Sequence, residues 1–163
     1  LPEAQVDRFL VKVILRYPTA EEEEVILTNN VTINEFEDYK LKSVLSPSWI
    51  VNAQKIVQQI YLDKKIEKYI VRLVDATRFP EKYHVETGKY IEFGGSPRAS
   101  ISLHIAAKAK ALLEGRAFVT QKDVKDVALS VLRHRILLNY EGQAEDVNTD
   151  DIVHEILKRV PIL

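Results

Sequence analysis

The chain has 163 residues, 46% of them hydrophobic, enough for a core of ordinary size without covalent staples. Cysteine is absent, which excludes disulfides, thiolate metal sites and cysteine nucleophiles and is compatible with the cytosol. With 23 Lys+Arg against 24 Asp+Glu the net charge is −1, so neither nucleic acid nor an anionic membrane is expected as a broad electrostatic partner.

No apolar run reaches bilayer length, and the first residues lack the organisation of a signal peptide. The chain has no methionine and opens on Leu1-Pro2, so it is expected to be an excised piece. Leu10–Leu15 is a β-branched apolar run that predicts a buried strand without an evident partner. Tyr17-Pro18 ends it. Thr19 and Glu22 then form a capping box, and Glu21, Glu23 and Glu24 complement the dipole of a helix to about Thr28. Nothing apolar surrounds these glutamates, so a catalytic carboxylate pair is not expected among them. Residues 29–45 are mixed, with a short helix expected around Glu35–Tyr39.

Ser46-Pro47 restarts a helix with Trp49, Ala53, Ile56, Val57 and Ile60 on one face, which places Trp49 in the core. Asp63 caps the next helix, whose Ile66, Tyr69, Ile70, Leu73 and Val74 repeat at three and four residues until Phe79-Pro80. Residues 82–93 change pattern, and Thr87-Gly88 predicts the turn of a small β-hairpin. From Ser96 a helix runs to about Glu114, with Ile101, Ile105, Ala109 and Leu112 as its stripe and Gly115 as its left-handed stop. Val119-Thr120 and Asp123-Val124 combine a cap, an acid three residues on and an apolar staple, starting a helix to about Leu138. Its buried face is Val124, Val127, Ala128, Val131 and Leu132. Glu141–Asn148 reads as a polar loop. Thr149 caps a last helix that buries Ile152, Ile156, Leu157 and Val160 and stops at Pro161.

Two arginines stand out chemically. Ser96 as N-cap and Pro97 at the first helical position put Arg98 in the first turn, where backbone N–H groups and the dipole favour an anion. An arginine alone is mildly unfavourable there, whereas an arginine meeting a phosphate is not. The competing reading is that Arg98 reaches a nearby carboxylate or snorkels to solvent. Arg8 lies just before the strand-like run, and its bland alternative is a surface pair with Asp7. His84, His104, His134 and His154 are scattered without metal-site spacing. There is no Gly-x-Ser-x-Gly elbow, no G-x-x-x-x-G-K-[ST] loop and no apolar run ending in paired acids, so the chain by itself is not expected to perform phosphoryl transfer.

Leu1–Leu10, Tyr17-Pro18 with Glu21–Leu27, Tyr69–Arg78, Gly95–Ser100, Gly115–Val124 and Val131–Arg135 resemble, in this order, the C-terminal half of MoxR-family AAA+ ATPases. The likeness covers nearly the whole chain and is weakest over residues 29–45 and 80–93. Gly95 replaces the alanine usual in the family's Gly-Ala-Ser-Pro-Arg, a change expected to loosen the turn. The resemblance implies a mainly α fold: residues 1–18 would be the end of an α/β nucleotide-binding core, contributing one orphan strand, and residues 19–163 a helical-bundle lid. It also implies that Arg98 is the sensor 2 arginine, contacting the γ-phosphate from the lid of its own subunit, with Ser96 and Pro97 on the phosphate side. Arg8 resembles the finger that reaches a neighbour's nucleotide. ATP and Mg²⁺ would then serve the intact protein, with none expected on the fragment alone.

The further implications are a homo-oligomeric, hexameric, cytoplasmic ring of chaperone character that acts on client proteins, with von Willebrand factor A domain proteins as partners and no direct membrane insertion. Arg133-His134-Arg135 also resembles a family feature, and packing, a subunit contact and nucleotide contact all stay open for it. The alternative reading is a free-standing helical interaction module with no nucleotide role; a DNA-binding AAA+ relative is a third, against which the near-neutral charge counts. The fragment alone should not hydrolyse ATP. Leu10–Leu15, without its sheet, should be disordered, packed on the lid or paired with another copy.

Overall fold

The computed structural model describes residues 2–30 and 39–162. The chain divides into two compact units, residues 13–53 and residues 1–12 with 54–163. The smaller unit holds α2 (Ala20–Asn30) and the first part of α3 (Pro47–Gln59). The Thr19 capping box forms as expected: Thr19 N–H donates to Glu22 at 2.8 Å and Glu22 N–H to Thr19 Oγ1 at 3.3 Å. Ser46 Oγ accepts from Trp49 N–H at the start of α3. Trp49 itself is not a core residue, being 53% exposed on a helix with no buried residue. A unit of about 40 residues has too little chain to cover an apolar helix face. The helix expected around Glu35–Tyr39 lies, but for Tyr39, outside the described residues. Nor is Leu10–Leu15 a strand: residues 11–19 carry no regular element and Leu15 is 90% exposed. No strand among the described residues offers this run a ladder, so β-branched composition alone does not make it one.

The larger unit begins with the single turn α1 (Glu3–Val6). Its frame is α4 (Lys64–Arg78), α5 (Pro97–Leu113), α6 (Gln121–Leu132) and α8 (Thr149–Arg159), with α5 packed on α4 and α6, and α8 on both α4 and α6. Asp63 caps α4 by accepting from Lys65 N–H at 2.8 Å, and Ile66, Tyr69, Ile70, Leu73 and Val74 all point inward as their spacing demands. Leu103, Val124, Val131, Leu132, Ile152 and Ile156 complete the core. The first half of the stripe expected on α5 is turned outward, with Ile101 59% and Ile105 43% exposed, while Leu112 packs against the core. Ala99, Ser102, Leu103, Ala106, Ala107 and Ala111 are buried instead. Small side chains let α5 approach α4 and α6 closely, and this close packing outweighs the larger area of the isoleucines.

Residues 82–93 are not a hairpin. They form two 3₁₀ turns, Pro80–Tyr83 and Glu86–Tyr90, followed by β1 (Ile91–Phe93), which pairs antiparallel with β2 (Leu137–Leu138). Glu155 on α8 explains the difference: its carboxylate accepts from Glu86 N–H at 2.8 Å, Thr87 N–H at 3.0 Å and Thr87 Oγ1 at 2.6 Å, capping the second turn from outside. That network also holds the Glu155 carboxyl below its ordinary value: burial would raise it, but the Thr87 and Glu86 bonds and the charge of Arg159 outweigh burial. The β2 pairing stops α6 at Leu132, short of the expected Leu138, and the predicted polar loop contains α7 (Tyr140–Ala144), capped by Asn139. Asn148, not Thr149, caps α8.

Candidate functional site

The start of α5 is built on Thr77 at the end of α4. Gly95 N–H donates to Thr77 Oγ1 at 2.8 Å, and Arg78 Nε donates to Gly95 O at 2.7 Å. A Cβ on Gly94 would lie 2.3 Å from Thr77 O, and one on Gly95 2.9 Å from the Ala99 Cβ. Among the described residues Gly115 is the one glycine in the left-handed region, at φ +70, so Gly95 is placed by close packing against Ala99 and Thr77. Ser96 is the N-cap, accepting from Arg98 N–H at 3.1 Å, and Pro97 takes the first position. The site thus projects Arg98, with its side chain 56% exposed, from the first turn of a 17-residue helix.

Arg98 does have a carboxylate in reach. Its Nη1 lies 3.4 Å from Asp7 Oδ2, and the same oxygen accepts from Ser96 Oγ at 2.8 Å. A half-exposed pair at that distance contributes little and leaves the guanidinium able to turn to a stronger anion. Burial alone would raise the Asp7 carboxyl, but the Ser96 and Arg98 hydrogen bonds, with the charge and hydrogen bond of Arg135, hold it below its ordinary value. Because Asp7 faces inward, the surface pair with Arg8 does not form. Arg8 donates its backbone N–H to Gln5 O at 3.2 Å, and its exposed side chain has no partner among the described residues.

Arg133-His134-Arg135, at the end of α6, gathers around residues 7–12. Arg133 makes a two-bond fork with Asp150, at 3.0 and 2.9 Å, and its Nη1 lies 3.4 Å from Lys12 O. His134 Nε2 lies 3.1 Å from Phe9 O, so that nitrogen donates, while the buried Nδ1 has no partner. Burial pushes the His134 pKa down, against the Phe9 bond, which favours the charged ring, and together with the nearby Arg135 charge. Arg135, with 1% of its side chain exposed, donates to Asp7 Oδ1 and to the carbonyls of Asp7, Phe9 and Leu10. Sequence reasoning singled out this motif without finding its chemistry, and Asp7 as the shared carboxylate was missed. Only the density of charge at the end of an apolar helix face pointed to them.

A cavity of about 170 Å³ opens between Asp7, Gly94, Ser96, His134 and Arg135. It is smaller than the few hundred Å³ usual for a small-molecule pocket. Among the described residues no three His, Asp or Glu side chains gather as metal ligands, and no helix is long and apolar enough to cross a membrane.

Residues 86–156 of this helical bundle match the AAA lid domain family. A crystal structure of a candidate ATPase from Cytophaga hutchinsonii superposes with a TM-score of 0.89 at 39% identity, over 100% of this chain and 49% of that one. Chaperone MoxR1 of Mycobacterium tuberculosis is 37% identical over 99% of this chain, and protein MoxR of Paracoccus denitrificans 30% identical over 89%. The chain spans less than half the length of these relatives, 42% and 46%. It belongs to the MoxR-family AAA+ ATPases and corresponds to their C-terminal part.

Proposed function

We propose that this chain is the lid-bearing part of an ATP-hydrolysing, chaperone-like ring, in which Arg98 senses the γ-phosphate of its own subunit's nucleotide and Arg8 reaches the nucleotide of the next. Residues 1–18 are then the end of the nucleotide-binding core and residues 19–163 the lid. The observation that carries the reading is the contrast between these arginines and their neighbours. Arg116, Arg133 and Arg135 are each engaged with a carboxylate at 3.1 Å or less. Arg8 has no partner among the described residues, and Arg98 only a long exposed one. Both are available to negative charge, and Ser96 and Pro97 orient the helix start toward it.

In phosphoryl transfer, charge spreads over the equatorial oxygens in the transition state, and a guanidinium presents fixed donors to it. An arginine supplied by a neighbour is worth roughly 10³ to 10⁵ in rate in other nucleotide hydrolases. The residues fit ATP through its phosphates; Mg²⁺ supplies further charge neutralisation when bound, and no residue described here is assigned to it. Supply of a finger in trans accounts for a closed head-to-tail homo-oligomer, hexameric by family likeness. Client proteins, including partners with von Willebrand factor A domains, and a cytoplasmic location follow from the same likeness, and the near-neutral charge argues against nucleic acid. The chain alone, without a phosphate-cradling loop, is not expected to turn over ATP. In the intact ATPase, Arg98→Ala and Arg8→Ala should each lower turnover by at least tenfold with the fold intact. Unchanged turnover in both would move the chain to the interaction-module reading.

A further inference from the structure

We propose that Arg135 is a positioning residue that presents Arg8, holding the backbone on both sides of it so that its side chain projects outward. This rests on the reading of Arg8 as a finger. The Arg135 Nη2 donates to Asp7 O at 3.0 Å and to Phe9 O at 2.6 Å, the carbonyls that flank Arg8 in the chain. Its Nε donates to Asp7 Oδ1 at 3.1 Å and its Nη1 to Leu10 O at 3.2 Å. The guanidinium is fixed in turn by Ser102 Oγ on α5, at 3.0 Å, and by Val131 O on its own helix. His134 Nε2 adds a second donor to Phe9 O.

A buried guanidinium is costly unless its donors are satisfied, and here four of its six acceptors belong to residues 7–10. The consequence is specific. Asp7 is drawn inward as a ligand of Arg135, Phe9 is pinned by its carbonyl, and Arg8 between them has its backbone fixed and its side chain excluded from the cluster. Because Arg135 stands at the end of α6 and Ser102 lies on α5, any tilt of these two helices is transmitted to Arg8 through one planar group. Lysine carries the charge but not the fork, so it cannot hold both flanking carbonyls and the carboxylate together.

The test uses Arg135→Lys in two settings. In this chain, ¹⁵N relaxation should give residues 7–10 order parameters of about 0.85 in the wild type and below about 0.6 in Arg135→Lys, with α4 and α6 unchanged. In the intact ATPase, Arg135→Lys should lower kcat at least tenfold with KM nearly unchanged, and should add nothing further to an Arg8→Ala background. Ser102→Ala removes a single support of the fork and should loosen residues 7–10 partially even if Arg135→Lys fails to fold. Rigid residues 7–10 in both variants, or additive losses from Arg135→Lys and Arg8→Ala, would overturn the proposal. Wild-type turnover in Arg8→Ala would overturn the finger reading and with it the catalytic part of this one.

Discussion

Asp123 is the acid whose removal should be felt most clearly in stability. It closes the capping box of α6, accepting from Thr120 N–H at 2.7 Å and Thr120 Oγ1 at 2.8 Å, and receives both Nη groups of Arg116, one at 2.8 Å. Although burial would raise it, the Arg116 and Thr120 bonds and the Arg116 charge hold its pKa down to about 2 from 3.8. At about 1.4 kcal/mol per tenfold change in proton affinity, the charged form contributes roughly 2 kcal/mol to the native state at neutral pH. Because the native carboxyl titrates below the unfolded one, the unfolded chain takes up its proton first as pH falls. The contribution is therefore nearly complete above about pH 4, falls to about half at pH 3 and is lost only as pH drops below about 2. Asp123→Asn should accordingly lower Tm by about 5 to 10 °C at pH 7. Urea denaturation followed by far-UV circular dichroism at pH 7 and pH 3 measures the gap between wild type and variant, which should shrink by about half. An equal gap at both pH values would refute an ionic origin, and a gap below about 0.5 kcal/mol at pH 7 would refute the magnitude.

Gly94→Ala should cost about 1 to 3 kcal/mol, because its Cβ would meet the backbone oxygen of Thr77 at 2.3 Å; Gly95→Ala should cost less, its contact at 2.9 Å being with a single methyl. Thermal melts of the two variants give the ranking, and a Gly95 variant less stable than the Gly94 one would contradict it. His134, buried with its pKa pushed down, should make the fold less stable as pH drops below about 6.5, since the unfolded ring protonates before the native one. His134→Gln should flatten that slope in denaturation measured between pH 7 and 5, leaving the share of His104, which burial shifts in the same direction.

The sequence displayed its helices where periodicity and capping agreed. The α4 stripe, the Thr19 and Thr120 boxes and the Ser96 cap are local signals, decided within four residues, and all appear as read. Readings failed where a distant group decided. The Glu155 carboxylate, on another helix, turned a hairpin-like segment into 3₁₀ turns, and β1 found β2 forty-odd residues away. The α5 face was misjudged because alanines give close packing while isoleucines carry the hydrophobic signal. For the candidate site, Ser96, Pro97 and Arg98 were legible as a helix start with a misplaced cation. Asp7 and Arg135, separated by 128 residues, could be joined only by the fold.

Arg98 is proposed to serve its own subunit's nucleotide and Arg8 its neighbour's. Mixing intact ATPase carrying Arg8→Ala with wild-type protein, and separately Arg98→Ala with wild type, tests it directly by turnover at each subunit's own site. Wild-type neighbours should restore hydrolysis at the nucleotide sites of Arg8→Ala subunits and leave those of Arg98→Ala subunits unrestored. Rescue of Arg98→Ala sites by wild-type neighbours, or failure to rescue those of Arg8→Ala, would contradict this assignment.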